Sequence, residues 1–359
     1  MKKRIFIGGT GRSGTRILSL FLGSHALISK IPFESRFIID NQGLVNLYSS
    51  LTENYSYDQG RIAIRDFEKM MTNALCEKNR TPYLWHPLHK HKNEITEATK
   101  HLLSNISEGV FNGTDCHSPD SSLTTPILRG ALDSLNYFIS GTTRHLFNKR
   151  SQLSHFGYKG IPPTESIYIP KYFSDDDKLR SIMRDYIDSI FGSILGDESM
   201  SWCEDTPANI YNMNFLSKIF GDAYFVHVMR HPAGVANSML KIPWAPYTLK
   251  QVCDLLENLY ERSIFSHELA KRETHIRYKF VKLEDLSEWN EVKLLSDWLG
   301  IDPNKFSGVV RISSGKMNYF PEQMSNKNLE YIQNRLQKYI DYFGYTRFQE
   351  VKLKGLNSV

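Results

Sequence analysis

Cysteine is scarce: Cys76, Cys116, Cys203 and Cys253 are the four in 359 residues. They are widely scattered and form neither a Cys-x-x-Cys pair nor a disulfide framework, so a reducing cytoplasm is the default setting. No run of about 18 consecutive apolar residues occurs, which excludes a membrane-spanning helix. The N-terminus is basic, but its apolar run, Ile5 to Ile7, is only three residues long before the glycines. That is too short for a secretory leader. Neither charge sign is in large excess. The net charge of +5 suits an anionic small ligand and argues only weakly for nucleic acid. There is no internal repeat and no low-complexity tract. What remains is an ordinary globular composition, 41% hydrophobic and 23% charged. The length fits two domains, or one large α/β domain with insertions, and suffices to bury a sizeable core.

The most informative stretch is Lys3 to Arg16. An apolar run, Ile5 to Ile7, ends in the turn Gly8-Gly9-Thr10-Gly11-Arg12-Ser13-Gly14-Thr15-Arg16, and an apolar-periodic segment through Leu22 follows. That order predicts buried strand, tight loop and helix. Such a loop aims backbone N–H groups and a positive helix N-terminus at one spot, where an anion binds. Arg12, Ser13, Thr15 and Arg16 add side-chain donors.

Ala26 to Ile31 reads as a second strand, and residues 34–52, 61–78 and 94–107 as helices. Residues 80–93 form an aromatic, histidine-rich loop. Residues 110–172 read as irregular, with some helix near 127–149, and Asp175 to Leu195 as an amphipathic helix. In Trp202-Cys203-Glu204-Asp205-Thr206-Pro207, Thr206 is positioned as an N-cap with Pro207 at the first helical position. Ala223 to Met229 is the clearest buried strand, with a helix behind it. A long helix over 248–273, a strand over Ile276 to Leu283 and helices over 291–299 and 325–342 complete the pattern. The order predicts an α/β protein with a central parallel sheet flanked by helices, interrupted by a large helical insertion at about 53–197.

The first loop admits several owners. Gly9 and Gly14 fit a nucleoside-triphosphate loop, but Thr15 stands where the lysine must be, and no strand ends in a magnesium-holding acid. Gly9, Gly11 and Gly14 also fit a dinucleotide fingerprint, with Glu34 twenty residues past Gly14 as a ribose-binding acid and an NAD(P)-dependent oxidoreductase as the outcome. Arg12 is awkward inside that turn, and the expected βα repeats do not follow promptly. A glycine turn with no ligand, or a nucleotide-binding module without turnover, stays open as well. A second anion site narrows the choice. The strand ending at Met229 runs into Arg230-His231-Pro232, and Ser238 follows two helical turns on. Arg230 then sits at the carboxyl edge of the sheet, where ligands of open α/β sheets bind. Two phosphate grips suggest a nucleotide with phosphates at both its 5′ and 3′ ends.

In these residues the chain resembles the sulfotransferases that use 3′-phosphoadenosine-5′-phosphosulfate (PAPS). Their 5′-phosphosulfate loop matches Gly11-Arg12-Ser13-Gly14-Thr15, and their 3′-phosphate motif, R-(D/H/N)-P-x6-S, matches Arg230-His231-Pro232 through Ser238. Trp202 to Pro207, Leu283-Glu284-Asp285-Leu286 and Phe320 through Ser325 to Phe343-Gly344-Tyr345 are similar to lesser family motifs. The resemblance covers roughly 1–52 and 198–346.

It implies sulfuryl transfer from PAPS to a hydroxyl acceptor, leaving 3′-phosphoadenosine-5′-phosphate (PAP), with no metal required. It assigns the developing charge on the bridging oxygen to Arg12, and donor binding to Gly11, Arg12, Ser13, Gly14, Thr15, Arg16, Arg230 and Ser238, with Lys316 as a further phosphate contact. Glu34, in a segment resembling the E-x-R of tyrosylprotein sulfotransferases, becomes the base, and Arg36 either holds it or binds the acceptor. Departures are Arg16 for the loop's second hydroxyl residue, Asp205 for a common lysine, Leu283 for a tyrosine and Phe320 for a tryptophan. The expected acceptor is a glycan, glycolipid or small metabolite, with protein tyrosine behind it.

Overall fold

Strand β1, Arg4–Gly8, is the middle of a five-stranded parallel sheet. The computed structural model describes residues 2–75, 86–114, 164–196, 201–307 and 324–345. Beside β1 lie β5, Ser201–Glu204, and β6, Tyr224–Met229. The edges are β2, Ile28–Lys30, next to β5, and β7, Arg277–Lys282, next to β6. Ile5 is flanked by Cys203 on one side and Tyr224 on the other, which fixes the register. Sheet order reverses at β1: the chain goes outward to β2, returns through β5, and crosses to β6 and β7. A crevice opens at the carboxyl ends of the strands at such a switch point.

Side chains alternate across β1, as the period-two geometry requires. Ile5 and Ile7 pack on one face with Leu18 and Leu22 of α1 (Thr15–Leu22) and Leu295 and Leu299 of α11 (Trp289–Leu299). Phe6 enters the opposite face, between Trp202 and Phe225. That face is covered by α2 (Arg36–Ile39), α3 (Leu44–Leu51), α4 (Tyr57–Ala74), α6 (Lys92–Ile106, preceded by the short α5, His86–His89) and α7 (Asp176–Leu195), joined by α8 (Met213–Ile219). The described helices of the insertion therefore complete the main core. A third core lies beyond β6, where α9 (Pro232–Met239), α10 (Leu249–Arg272) and α12 (Asn326–Tyr342) pack together.

Two expectations need correction. Residues 110–172 are not wholly irregular: β3, Ser107–Thr114, pairs antiparallel with β4, Thr164–Pro170. Glycine and asparagine interrupt the alternation of β3, so its strand character comes from pairing rather than pattern. The helix expected near 127–149 lies outside the described residues. Thr206 does not cap the helix after it. Its Oγ1 donates instead to Glu204, and Pro207 opens a 3₁₀ turn, Pro207–Asn212. Among the described residues, no helix is long and apolar enough to cross a membrane.

Candidate active site

The glycine loop closes over the carboxyl end of β1. Gly9 N–H donates to the carbonyl of Pro207 at 2.8 Å, and Ser13 N–H to that of Thr10 at 3.1 Å. A methyl group on Gly9 would lie 2.2 Å from the Val228 carbonyl oxygen, so the loop needs glycine to pass so near β6. Gly14 caps α1 with φ +101°, and Arg12 takes a left-handed φ of +70°. A non-glycine residue holds that conformation at a cost of order 1 kcal/mol, and such strain concentrates at functional sites.

The first N–H groups of α1 have no partner within the helix. Beside them the Ser13 hydroxyl is buried with no hydrogen-bond partner. Buried hydroxyls ordinarily have partners. The presence of this one at a helix N-terminus fits a bound phosphate oxygen. Thr15 is buried, whereas Arg16 is exposed.

Arg12 is exposed, and its Nε donates to Ser238 Oγ at 2.9 Å. Arg230 follows β6 directly. Burial lowers its affinity for a proton below the ordinary value, the charge of Glu284 opposes that, and the like charge of Arg12 adds to it. Two guanidinium groups thus face one region between the loop and α9. Glu284 braces this side: its Oε1 accepts the His231 N–H at 2.8 Å, and Tyr345 OH donates to Oε2 at 3.4 Å. The Tyr345 ring also packs edge-on against His231, 5.4 Å between centroids. Lys316 lies outside the described residues.

Glu34 stands past the end of β2, at the same edge of the sheet. Its segment is pinned to β5 twice. Ile31 N–H donates to the Cys203 carbonyl at 2.9 Å, and Ser35 N–H to Glu204 Oε1 at 2.8 Å. Glu34 is half-buried; burial, then the charge of Asp205, raises its pKa above the ordinary carboxylate value, against the lowering pull of Arg36. Arg36 itself is paired with Asp40, Nε to Oδ2 at 2.9 Å. Where the resemblance offered Arg36 as a holder of Glu34 or a contact to the acceptor, its side chain is engaged with Asp40 one helical turn on.

Glu204 was not singled out from sequence, yet it is the joint of this edge. It is fully buried. Oε1 also accepts Thr206 N–H at 2.9 Å and the Thr206 hydroxyl, and Oε2 accepts Asn209 Nδ2. Burial and the Asp205 charge push it up to about 7, against these donors. Asp205, also buried, accepts Ser19 Oγ from α1 at 2.6 Å and lies 3.4 Å from Lys30 Nζ.

Residues 134–302 match the model of the sulfotransferase family. The matched segment carries Glu204, Arg230 and Ser238, and begins inside the stretch for which no motif was recognised; the loop at Gly11 to Arg16 and Glu34 precede it. No curated protein matches the chain. Among solved structures, this chain is similar to the sulfotransferase domain of the olefin synthase from Synechococcus PCC 7002, at 13% identity over 96% of this chain and 95% of that one, with a TM-score of 0.47. It is also similar to the sulfotransferase domain from the curacin biosynthetic pathway, at 11% identity over 96% and 99%, with a TM-score of 0.44.

His227 packs in the core: it is fully buried, with Nδ1 2.8 Å from Tyr278 OH. The sheet also bears on the dinucleotide reading. β5 separates β2 from β1, so Glu34 is not on the strand beside the glycine loop, where a ribose-binding acid would stand.

Proposed function

We propose that this chain transfers a sulfuryl group from PAPS to a hydroxyl acceptor, leaving PAP. The observation that carries the reading is the convergence of Arg12 and Arg230 on one region, beside a helix N-terminus with an orphaned buried serine hydroxyl. When bound, PAPS supplies an activated sulfuryl group. Gly14, Thr15 and the start of α1 would hold its 5′-phosphate, and Arg230 with Ser238 its 3′-phosphate.

The acceptor oxygen bonds to sulfur as the bond from sulfur to the 5′-phosphate oxygen breaks. The electron pair goes to that oxygen, and Arg12 offers a guanidinium where the charge builds. Glu34 takes the acceptor proton. A carboxylate with a raised pKa is a stronger base, nearer to working pH. Glu204 holds the backbone that carries Glu34, and Asp205 raises its basicity.

The experiment is ligand-induced thermal stabilisation. PAP is expected to stabilise the protein and NADH not to; absence of stabilisation by PAP overturns the reading. R230A is expected to weaken PAP far more than adenosine-5′-phosphosulfate, which lacks the 3′-phosphate. Equal losses would refute its 3′-phosphate role.

A further inference from the structure

Two short motifs have no role so far: Leu283-Glu284-Asp285-Leu286, after β7, and Phe343-Gly344-Tyr345, after α12. The fold brings both to His231, the residue that follows Arg230. β6 and β7 pair in parallel as far as Met229 and Lys282. One more backbone bond follows, Leu283 N–H to the Met229 carbonyl at 2.7 Å. The chain then leaves the sheet. Glu284 is helical, at φ −61° and ψ −39°, and opens a 3₁₀ turn, Asp285–Ser287. His231 is buried, so its N–H needs a partner. Glu284 Oε1 supplies it at 2.8 Å, in place of the strand carbonyl that the turn has carried away. The backbone on both sides of Arg230 is thus held, Met229 by Leu283 and His231 by Glu284.

The second motif backs this contact. Gly344 closes α12 with φ +66°. Its N–H donates to the Asp341 carbonyl at 3.0 Å and that of Tyr345 to the Ile340 carbonyl at 2.8 Å. This left-handed turn favours glycine and sends Tyr345 back toward the sheet edge. There Lys282 Nζ donates to the Gly344 carbonyl at 2.6 Å and lies 5.0 Å over the Tyr345 ring. Tyr345 in turn packs on His231 and donates its hydroxyl to Glu284 Oε2 at 3.4 Å. His231 Nδ1 accepts the Ala233 N–H at 3.2 Å, which fixes the start of α9.

We infer that Glu284 is a positioning residue: its bond to the His231 N–H sets the backbone from which Arg230 reaches the donor's 3′-phosphate, and so sets the preference for a 3′-phosphorylated nucleotide. This rests on the sulfuryl-transfer reading above. A guanidinium grips a phosphate with two parallel bonds only when its fork is aimed. A carboxylate near a phosphate repels it. What Glu284 contributes is therefore the bond rather than the charge.

Two variants separate these. E284Q keeps an oxygen for the His231 N–H and loses the charge; E284D keeps the charge and is one methylene too short. Calorimetry with PAP and with adenosine-5′-phosphate, which lacks the 3′-phosphate, reads the effect. E284D is expected to weaken PAP about tenfold, as the loss of one aimed charged hydrogen bond, and adenosine-5′-phosphate by less than about twofold. E284Q should bind both as the wild type does. Should E284D fail to fold, E284A takes its place with the same expectation. An E284D protein that keeps the wild-type preference for PAP overturns the inference and leaves the donor reading intact. Equal losses for both nucleotides overturn it too, because Glu284 then only supports the fold. So does an E284Q protein as weak as E284D, because charge then acts in place of the bond. Wild-type protein that binds PAP no better than adenosine-5′-phosphate removes the donor reading and this inference with it.

Discussion

Arg12 and Ser238 are joined by a 2.9 Å hydrogen bond, Nε to Oγ, although one follows β1 and the other lies in α9. The bond ties the loop assigned to the 5′ end of the donor to the helix assigned to its 3′ end. Removing the guanidinium should therefore separate chemistry from binding. R12A is expected to lower kcat about 10²–10³-fold, the usual cost of losing one donor aimed at developing charge. S238A should instead weaken PAP about tenfold, as one hydrogen bond to a charged group. Steady-state transfer from labelled PAPS and calorimetry with PAP measure the two; an R12A enzyme with unchanged kcat contradicts the role given to Arg12.

Glu34 must be ionised to accept a proton, and burial has raised its pKa. In the wild type, kcat/KM should climb with pH through that raised value and level off above it. E34Q is expected to lose this acid limb and about 10²–10⁴ in kcat while binding PAP normally. A pH profile of the variant that keeps both limb and rate would remove Glu34 from the mechanism.

Glu204 joins the Glu34 segment to the loop after β5, so its loss should reach both stability and pH response. Its folded pKa, about 7, stands above its ordinary 4.5. The folded protein then holds more protons than the unfolded chain between those values, and this contribution to stability falls as pH rises across that window. E204Q is expected to flatten that slope and, by setting an amide against donors, to cost about 1–3 kcal/mol at low pH. Urea unfolding of both proteins from pH 5 to 8 supplies the comparison, and parallel curves would contradict it.

His227 works in the opposite direction. Burial first, and then the charge of His267, hold it down to about 3 from 6.5. The unfolded chain takes up a proton there that the fold refuses, so stability present above pH 6.5 is lost as pH falls toward 3. The slope is up to about 1.4 kcal/mol per pH unit. H227N, which cannot titrate, should show a shallower acid decline in thermal unfolding.

Much of the site was legible in the residues themselves. Ile5 to Ile7 running into glycines, and Ala223 to Met229 running into Arg230-His231-Pro232, are local signals: apolar runs, turn residues and charge placed within one strand–loop–helix unit. Such signals are local, so both segments proposed to bind the donor's phosphates could be read along the chain. So could most helices, because their apolar stripes repeat locally.

Tertiary structure decided what depends on pairing and burial. That β5 lies between β1 and β2 follows from parallel pairing between distant segments, which leaves no local trace. The β3–β4 ribbon is likewise a property of two segments together. Glu204 looked like one acid in a motif until the fold surrounded it with the Ser35 N–H, Thr206 and Asn209. The sequence by itself determined which residues offer donors to the anion proposed here. The fold determined which of them face one another, because distance and dielectric are properties of the packed chain.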